Sequence, residues 1–194
     1  MTRLLFRLLV VALAGALLIA GCIQVEKKEY RYTLKTNGTG AGTIRFVNIV
    51  SQEDNDKDVS FKDYAELVTD YMDGTKFEDE NPALKVTGKK LYEEKGVLVG
   101  EFNFTFASLD SVGFFRAAGC ACCPVLHFAK SSSSTGGGET IASSNGQMVE
   151  GVTDAPFIKW DSGIKEFSYT TTLGVDTSKV HSLLPHYKKW KDKK

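Results

Sequence analysis

Neither sign of charge dominates this chain, and no apolar run after Cys22 approaches the roughly 20 residues that a membrane-spanning helix needs. The sequence has 24 basic and 24 acidic residues, so its formal net charge is zero. That balance gives no indication of nucleic-acid binding. No serine or cysteine stands in a recognisable nucleophile turn, so the sequence predicts no catalytic residue.

The long apolar run that the sequence does have lies at its start. Arg3 and Arg7 carry positive charge, residues 8–19 are apolar, and small residues precede Cys22 in the order Ile-Ala-Gly-Cys. The run is too short to span a bilayer, and this order of features is typical of a cleaved signal. We predict a lipoprotein signal peptide over residues 1–21 and lipidation at Cys22. The alternative is an ordinary secretory signal with a chance cysteine.

This segment also predicts where the protein lies. In the bacterial lipoproteins that it resembles, the cysteine thiol receives a diacylglycerol and the chain is cut before that cysteine. Each buried CH₂ contributes about 0.8 kcal/mol, so two or three acyl chains hold a protein stably in a membrane. Ile23 is not the aspartate associated with inner-membrane retention. We expect a lipid-anchored protein of the bacterial cell envelope, in the outer membrane where there is one.

The remaining 173 residues are enough for one domain with a sizeable core. Without residues 1–21, which hold two arginines and no acid, 22 basic residues face 24 acidic ones. We assign residues 22–28 to a lipidated tether, residues 29–175 to a single α+β domain, and residues 176–194 to a basic C-terminal tail.

Alternating apolar and polar residues predict strands that pair as hairpins. Residues 29–35 and 43–51 flank the glycine-rich stretch 37–42, which is typical of a hairpin turn. This glycine run leads into a strand and not into a helix, so it does not predict a phosphate-binding loop. Two further hairpins are predicted, from residues 84–92 with 97–106 and from residues 157–160 with 164–173.

One amphipathic helix is expected after the first hairpin. Ser60 is a candidate N-cap answered by Asp63, and apolar residues recur over 61–72 at steps of three and four. The acidic stretch 52–58 begins like a calcium-binding loop but lacks its glycine and its last glutamate, so a solvated loop is favoured. Residues 76–82 are expected to form a loop. The order predicts an antiparallel sheet of about six strands with one main helix packed on it.

At this point the chain resembles the LppM-type group of bacterial lipoproteins. The residues that carry the resemblance are Ile19 to Cys22, Tyr30-Arg31-Tyr32, and Asn37-Gly38-Thr39-Gly40. The resemblance implies a membrane-anchored domain that binds a lipid or another amphiphile, and it implies no enzyme residue. The cysteine cluster described next is not part of that pattern.

The least ordinary stretch holds three cysteines and a histidine: Cys120, Cys122, Cys123 and His127. Soft thiolate and imidazole ligands suit Cu(I) or zinc, so a metal or redox site is one interpretation. Adjacent cysteines are hard to aim at one tetrahedral ion, and buried thiols or a local disulfide are the other interpretations. Three cysteines in an oxidising compartment leave one thiol unpaired in any case.

The C-terminal tail combines lysines with an interfacial aromatic residue, in Lys188, Lys189, Trp190 and Lys191. Such a segment can contact anionic headgroups, at about 1 kcal/mol for each lysine near the surface. A solvated tail is the favoured alternative. Residues 131–138 are serine and glycine throughout apart from one threonine, which predicts a flexible loop.

Together these patterns predict a lipid-anchored, non-enzymatic binding or envelope-interaction module without a cofactor. The expected partners are the membrane and a lipid, amphiphile or envelope protein, captured between the helix and the curved sheet in the amphiphile case. The alternative is a thiol-based metal-binding or redox protein that uses the cysteine cluster.

Overall fold

The computed structural model describes residues 22–35, 38–117, 120, 122–128, 139–149, 157–174 and 177–192. The predicted signal peptide and the predicted flexible loop at 131–138 lie outside the described residues. The strands in the described ranges are β1 Ile23–Leu34, β2 Gly40–Gln52, β3 Leu84–Glu94, β4 Val97–Phe106, β5 Phe114–Phe115, β6 Val125–Phe128, β7 Glu139–Ser144, β8 Gln147–Val149, β9 Phe157–Trp160, β10 Glu166–Leu173 and β11 Val180–Ser182. The helices are α1 Ser60–Glu66, continued by a π-helical segment Leu67–Met72, then α2 Lys76–Glu80 and α3 Leu184–Lys191, with 3₁₀ turns at Asp110–Val112 and Thr177–Lys179.

The main sheet is antiparallel and has the strand order β3-β4-β2-β1-β10-β7, with β11 added beside the end of β2. The first two predicted hairpins are confirmed as β1–β2 and β3–β4. On β4 the alternating side chains of Leu98, Phe102, Phe104 and Phe106 are buried, as expected for a strand covered on one face. Helices pack on this sheet, so the α+β class is confirmed, with seven strands where about six were expected.

A second, small sheet has the order β5-β6-β9-β8. One of its faces carries four fully buried side chains: Phe114, Val125, Ile158 and Trp160. It packs on the main sheet, where the Phe114 ring lies 4.9 Å from that of Tyr32. The predicted third hairpin is therefore wrong, because β9 belongs to the small sheet while β10 pairs with β1 and β7. Alternation shows that both stretches are strands, but it does not identify the neighbour of each strand.

The first strand begins directly after Cys22. Residues 23–25, 27 and 28, which were expected to belong to a tether, pair with β2, and residues 27 and 28 pair with β10 as well. The tether is thus corrected to the first half of β1. Its charged residues hid the strand pattern, although Lys28 stands in phase with Tyr30 and Tyr32 and is itself buried.

The helical region departs from the prediction at both ends. Ser60 is the first residue of α1 and not its N-cap. Its backbone N–H donates a hydrogen bond to the Asp58 carboxylate 2.8 Å away. Asp63 accepts a hydrogen bond from the buried Ser51 hydroxyl at 2.6 Å. The expected loop at 76–82 contains α2, whose Phe77 ring stacks on Phe102 at 4.1 Å.

The end of the chain is part of the fold. The expected solvated tail at 176–194 contains β11, which pairs with β2, and α3, which packs near α1. Leu183 is fully buried, and Leu184 and Tyr187 join it in a core cluster with Tyr64, Leu67 and Leu98. A few buried apolar residues are enough to hold a short terminal helix on the domain, so the lysine-rich composition of this segment did not indicate that it is folded.

Candidate functional site

The outer face of the small sheet is apolar, although it faces away from the main sheet. Strand alternation puts Phe115 and Leu126 on this face beside one another, with Phe128 beside Phe157. The Phe128 ring lies 5.7 Å from Phe115 and 5.5 Å from Phe157. Phe115 is 48% exposed and Phe128 is 43% exposed. We call the set Phe115, Leu126, Phe128 and Phe157 the aromatic face.

One cationic residue shares the side of the sheet that carries the aromatic face, and a second follows Phe115 in the chain. The register pairs Lys159 with Leu126, so this lysine belongs to the same side of the sheet. Arg116 follows Phe115 directly, and its Nε is buried with no hydrogen-bond partner in the described part of the chain. An unpaired buried donor costs about 1–3 kcal/mol, which an oxygen ligand would recover. The arrangement can therefore hold an acyl chain or ring together with an anionic group.

The connection from β5 to β6 carries the cysteines. Cys120 and Cys123 form a disulfide with their Cα atoms 5.3 Å apart. Cys122 is an exposed free thiol, and its Sγ lies 3.1 Å from that of Cys120. All three sulfur atoms lie within 4.8 Å of one another. The predicted cysteine cluster is thus assembled, with the local disulfide that was one of its interpretations.

His127 does not join the three sulfur atoms. Its position on β6 is one step from Leu126 and Phe128, so it faces the main sheet and not the aromatic face. The Nδ1 atom is 2.9 Å from the Gly113 carbonyl oxygen, and the ring packs 5.0 Å from Phe114 and 4.7 Å from Tyr169. The sulfur cluster therefore consists of Cys120, Cys122 and Cys123, without His127.

A buried polar cluster, which sequence reasoning missed, lies on the main sheet. The Glu139 carboxylate accepts hydrogen bonds from Lys28 Nζ at 3.1 Å, from the Tyr30 hydroxyl at 2.9 Å and from Thr171. Burial raises the pKa of Glu139, but Lys28 and the hydroxyl of Thr171 outweigh it and hold that pKa below its usual value. Burial and the nearby carboxylate raise the pKa of Tyr30 well above its usual value. The sequence held one signal of this cluster: Lys28 alternates with Tyr30 and Tyr32, which indicates that the three side chains share a face of β1.

Cys22, the predicted lipidation site, lies where the main sheet begins. Its carbonyl oxygen accepts a hydrogen bond from the Gln52 N–H at 2.6 Å, and Ile23 pairs with Ser51. Burial raises the pKa of the Cys22 thiol, and Asp63 and Asp54 raise it further. A group attached to this cysteine is joined to the sheet without an intervening linker.

The C-terminal residues predicted to meet a membrane divide into two kinds. Lys188, Lys189 and Lys191 are exposed, and Lys188 pairs with Glu93 at 2.9 Å. Trp190 is half-buried and packs against the core cluster that contains Leu183 and Tyr187, with its ring 6.2 Å from Tyr187. Contact between this segment and lipid headgroups stays a prediction. Its aromatic residue, Trp190, packs against the core of the domain.

Similarity to known proteins was sought by sequence and by structure. No protein-family model, curated protein or solved structure matches the chain. None of the helices in the described residues has the length and apolar character to cross a membrane.

Proposed function

We propose that this protein is a lipid-anchored component of the bacterial cell envelope that binds an anionic amphiphile on the aromatic face. The signal-peptide residues Ile19 to Gly21 and the lipidated Cys22 supply the anchor, and the small sheet supplies the binding surface. No enzymatic step is included, because the face offers apolar contact and positive charge and no nucleophile paired with a base.

The observation that carries this proposal is the cluster of aromatic side chains on the outer face of the small sheet. A sheet that covers a core needs one apolar face, and its outer face is ordinarily polar. Here the Phe128 ring contacts both Phe115 and Phe157 on the outer face, and Leu126 pairs with Phe115. Burying a fully exposed phenylalanine contributes roughly 1.5–3 kcal/mol, so each of these two half-exposed rings can supply about half of that to an acyl chain.

The charge beside the aromatic face determines which amphiphile we propose. Lys159 lies on the same side of the sheet, and Arg116 has a buried Nε without a partner among the described residues. Both groups favour a carboxylate or phosphate over a cationic or neutral headgroup. The ligand class is thus a fatty acid or an acidic phospholipid.

The site differs from the one expected between the helix and the sheet. There the aromatic rings pack against each other, with Phe77 stacked on Phe102 and Phe46 meeting both rings edge to face. The small sheet contacts β1 near Tyr32, nine residues from Ile23, which is about 30 Å at 3.3 Å per residue. A ligand on the aromatic face is therefore far along β1 from the acylated residue.

The binding proposal is tested by titrating the domain with a dansyl-labelled fatty acid and following the dansyl fluorescence. We expect Phe128→Ser to weaken binding about tenfold, which corresponds to roughly 1.4 kcal/mol. Phe61→Ser is the matched control, because Phe61 is 74% exposed but lies on α1, away from the aromatic face. Equal affinity in both variants, or no saturable binding, would remove the proposal.

The anchor is tested separately by growing bacteria that express the full chain with an alkyne-tagged fatty acid. We expect the tag on Cys22 and its loss in Cys22→Ala. If the wild-type protein carries the tag but binds no amphiphile, the result would support the anchor and contradict the proposed ligand.

A thiol-based metal or redox function is the second candidate. It is favoured by one observation, the three sulfur atoms within 4.8 Å of one another. Zinc–sulfur bonds of about 2.3 Å allow three thiolates at such separations to share one ion. Because Cys120 and Cys123 are joined in the structure, metal binding requires a dithiol reductant first. Metal that binds the reduced wild type and is lost when all three cysteines are serine would support it.

A further inference from the structure

The cysteine loop places a free thiol against a disulfide. Cys122 is exposed and unpaired, and its Sγ is 3.1 Å from the Cys120 Sγ. Cys120 in turn is bonded to Cys123, and both of these residues are half-buried. Thiol–disulfide exchange needs this arrangement, in which a thiolate can reach one sulfur of an existing disulfide.

We propose that Cys120, Cys122 and Cys123 form an internal thiol–disulfide exchange site, in which Cys122 competes with Cys123 for Cys120. The Cys122 thiol loses its proton to water, and the thiolate attacks the Cys120 Sγ. A new Cys120–Cys122 bond forms as the Cys120–Cys123 bond breaks, and Cys123 leaves with the electron pair and takes a proton from water. One disulfide is lost and one is gained, so the step needs neither oxidant nor reductant.

The chain geometry allows both products. A disulfide requires Cα atoms about 4.4–6.8 Å apart, and the Cys120–Cys123 pair has 5.3 Å. Residues two apart span at most about 7 Å when the chain is extended, and they come closer in a turn, which is the conformation at Cys122. Holding the attacking thiol beside its target also makes the step unimolecular, which favours it strongly over exchange with a thiol in solution.

Exchange changes which thiol the protein presents. In the structure the free thiol is the exposed Cys122, whereas in the other isomer it is the more buried Cys123. The same loop joins β5 to β6, the strands that carry Phe115, Leu126 and Phe128. The site therefore switches an accessible thiol on and off at the edge of the aromatic face. This inference does not depend on amphiphile binding.

The test uses the full chain, purified without reductant and alkylated with iodoacetamide under native conditions for increasing times. The reaction is quenched in acid, where thiolates are absent, and fragmentation mass spectrometry locates the label. We expect label on Cys122 first, followed by a Cys123-labelled fraction that grows to at least about a tenth. Label on Cys22 appears in a separate peptide. Label confined to Cys122 at every time would overturn the proposal.

Two variants make the test independent of any loss of folding. Cys122→Ser removes the attacking thiol, so neither Cys120 nor Cys123 is expected to take label. Cys123→Ser leaves only the second partner, and we expect Cys120 and Cys122 to resist alkylation until a reductant is added. Rapid alkylation of both cysteines in Cys123→Ser, with wild-type circular dichroism, would contradict the exchange site.

Discussion

Lys28 and Glu139 meet across the main sheet, on strands that are separated by β10. The Lys28 ammonium lies 3.1 Å from the Glu139 carboxylate, with only 11% of its own side chain exposed against 32% for the carboxylate. Tyr30 and Thr171 donate hydrogen bonds to the other carboxylate oxygen. This buried pair joins the first strand of the chain to β7, which begins at Glu139.

Removing one member of this pair is expected to destabilise the domain. In Glu139→Gln the Lys28 charge stays buried without its counter-ion, and we expect a loss of about 2–3 kcal/mol in the free energy of unfolding, less than the 3–5 kcal/mol of a fully buried pair. Urea denaturation measures it. The double substitution Lys28→Met with Glu139→Leu is the control, because it removes both charges and should recover most of the loss. Equal losses in the two variants would show that the pair is not coupled.

The same carboxylate predicts a dependence of stability on pH. The pKa of Glu139 is lowered in the folded protein, mainly because Lys28 and Thr171 offset burial. The unfolded chain then binds the proton more readily, so this contribution is fully present above the unfolded pKa near 4.3 and is lost as the pH falls through the lower folded pKa. We expect the stability gap between wild type and Glu139→Gln to shrink between about pH 5 and pH 3. A gap that is constant over this range would contradict the assignment.

Glycine in β2 is required for space beneath aromatic rings. A Cβ atom at Gly42 would lie 2.5 Å from Cζ of Phe104, while nothing lies within 4 Å of a Cβ at Gly163. We expect Gly42→Ala to cost about 1–3 kcal/mol because the buried Phe104 ring has to move. Gly163→Ala, at an exposed turn, should change stability by less than about 0.5 kcal/mol. Thermal unfolding of the two variants measures both losses, and equal losses would contradict the role of Gly42.

How much of this architecture the sequence predicts depends on the range of the interaction. The β1–β2 and β3–β4 hairpins follow from local alternation and turn residues, and both are confirmed. Local patterns do not predict that β9 and β10 lie in different sheets, because strand pairing depends on which distant strand is the better partner. The role of Gly42 is of the same kind, since its need for space comes from Phe104 on another strand.

The candidate sites show the same division. The three cysteines are close in sequence, and their clustering was predictable, whereas the position of His127 follows from strand parity in a sheet that was not foreseen. The aromatic face also escaped the sequence analysis, because Phe115, Phe128 and Phe157 come from three strands of that sheet. The Lys28–Glu139 pair joins residues 111 positions apart.

The C-terminal helix is expected to be necessary for folding. Leu183 is fully buried beside Leu98 and Tyr187, and Leu183→Ala should cost about 2–5 kcal/mol through lost apolar contact and a cavity. Lys189→Ala, on the exposed side of α3, is the matched control and should be near neutral. Chemical denaturation of both variants would show whether the segment is structural. A neutral Leu183→Ala would mean that residues 183–192 are dispensable for the fold.

The most direct test of the binding proposal is to find which residues of the full-length protein an amphiphile contacts. Full-length protein extracted from bacterial membranes would be irradiated with a fatty acid that carries a diazirine at the end of its chain, and the cross-linked residues would be identified by mass spectrometry. We predict cross-links at Phe115, Phe128 and Phe157 that excess unlabelled fatty acid abolishes. Cross-links centred on Phe61, or spread over the surface without competition, would contradict the aromatic face as the binding site.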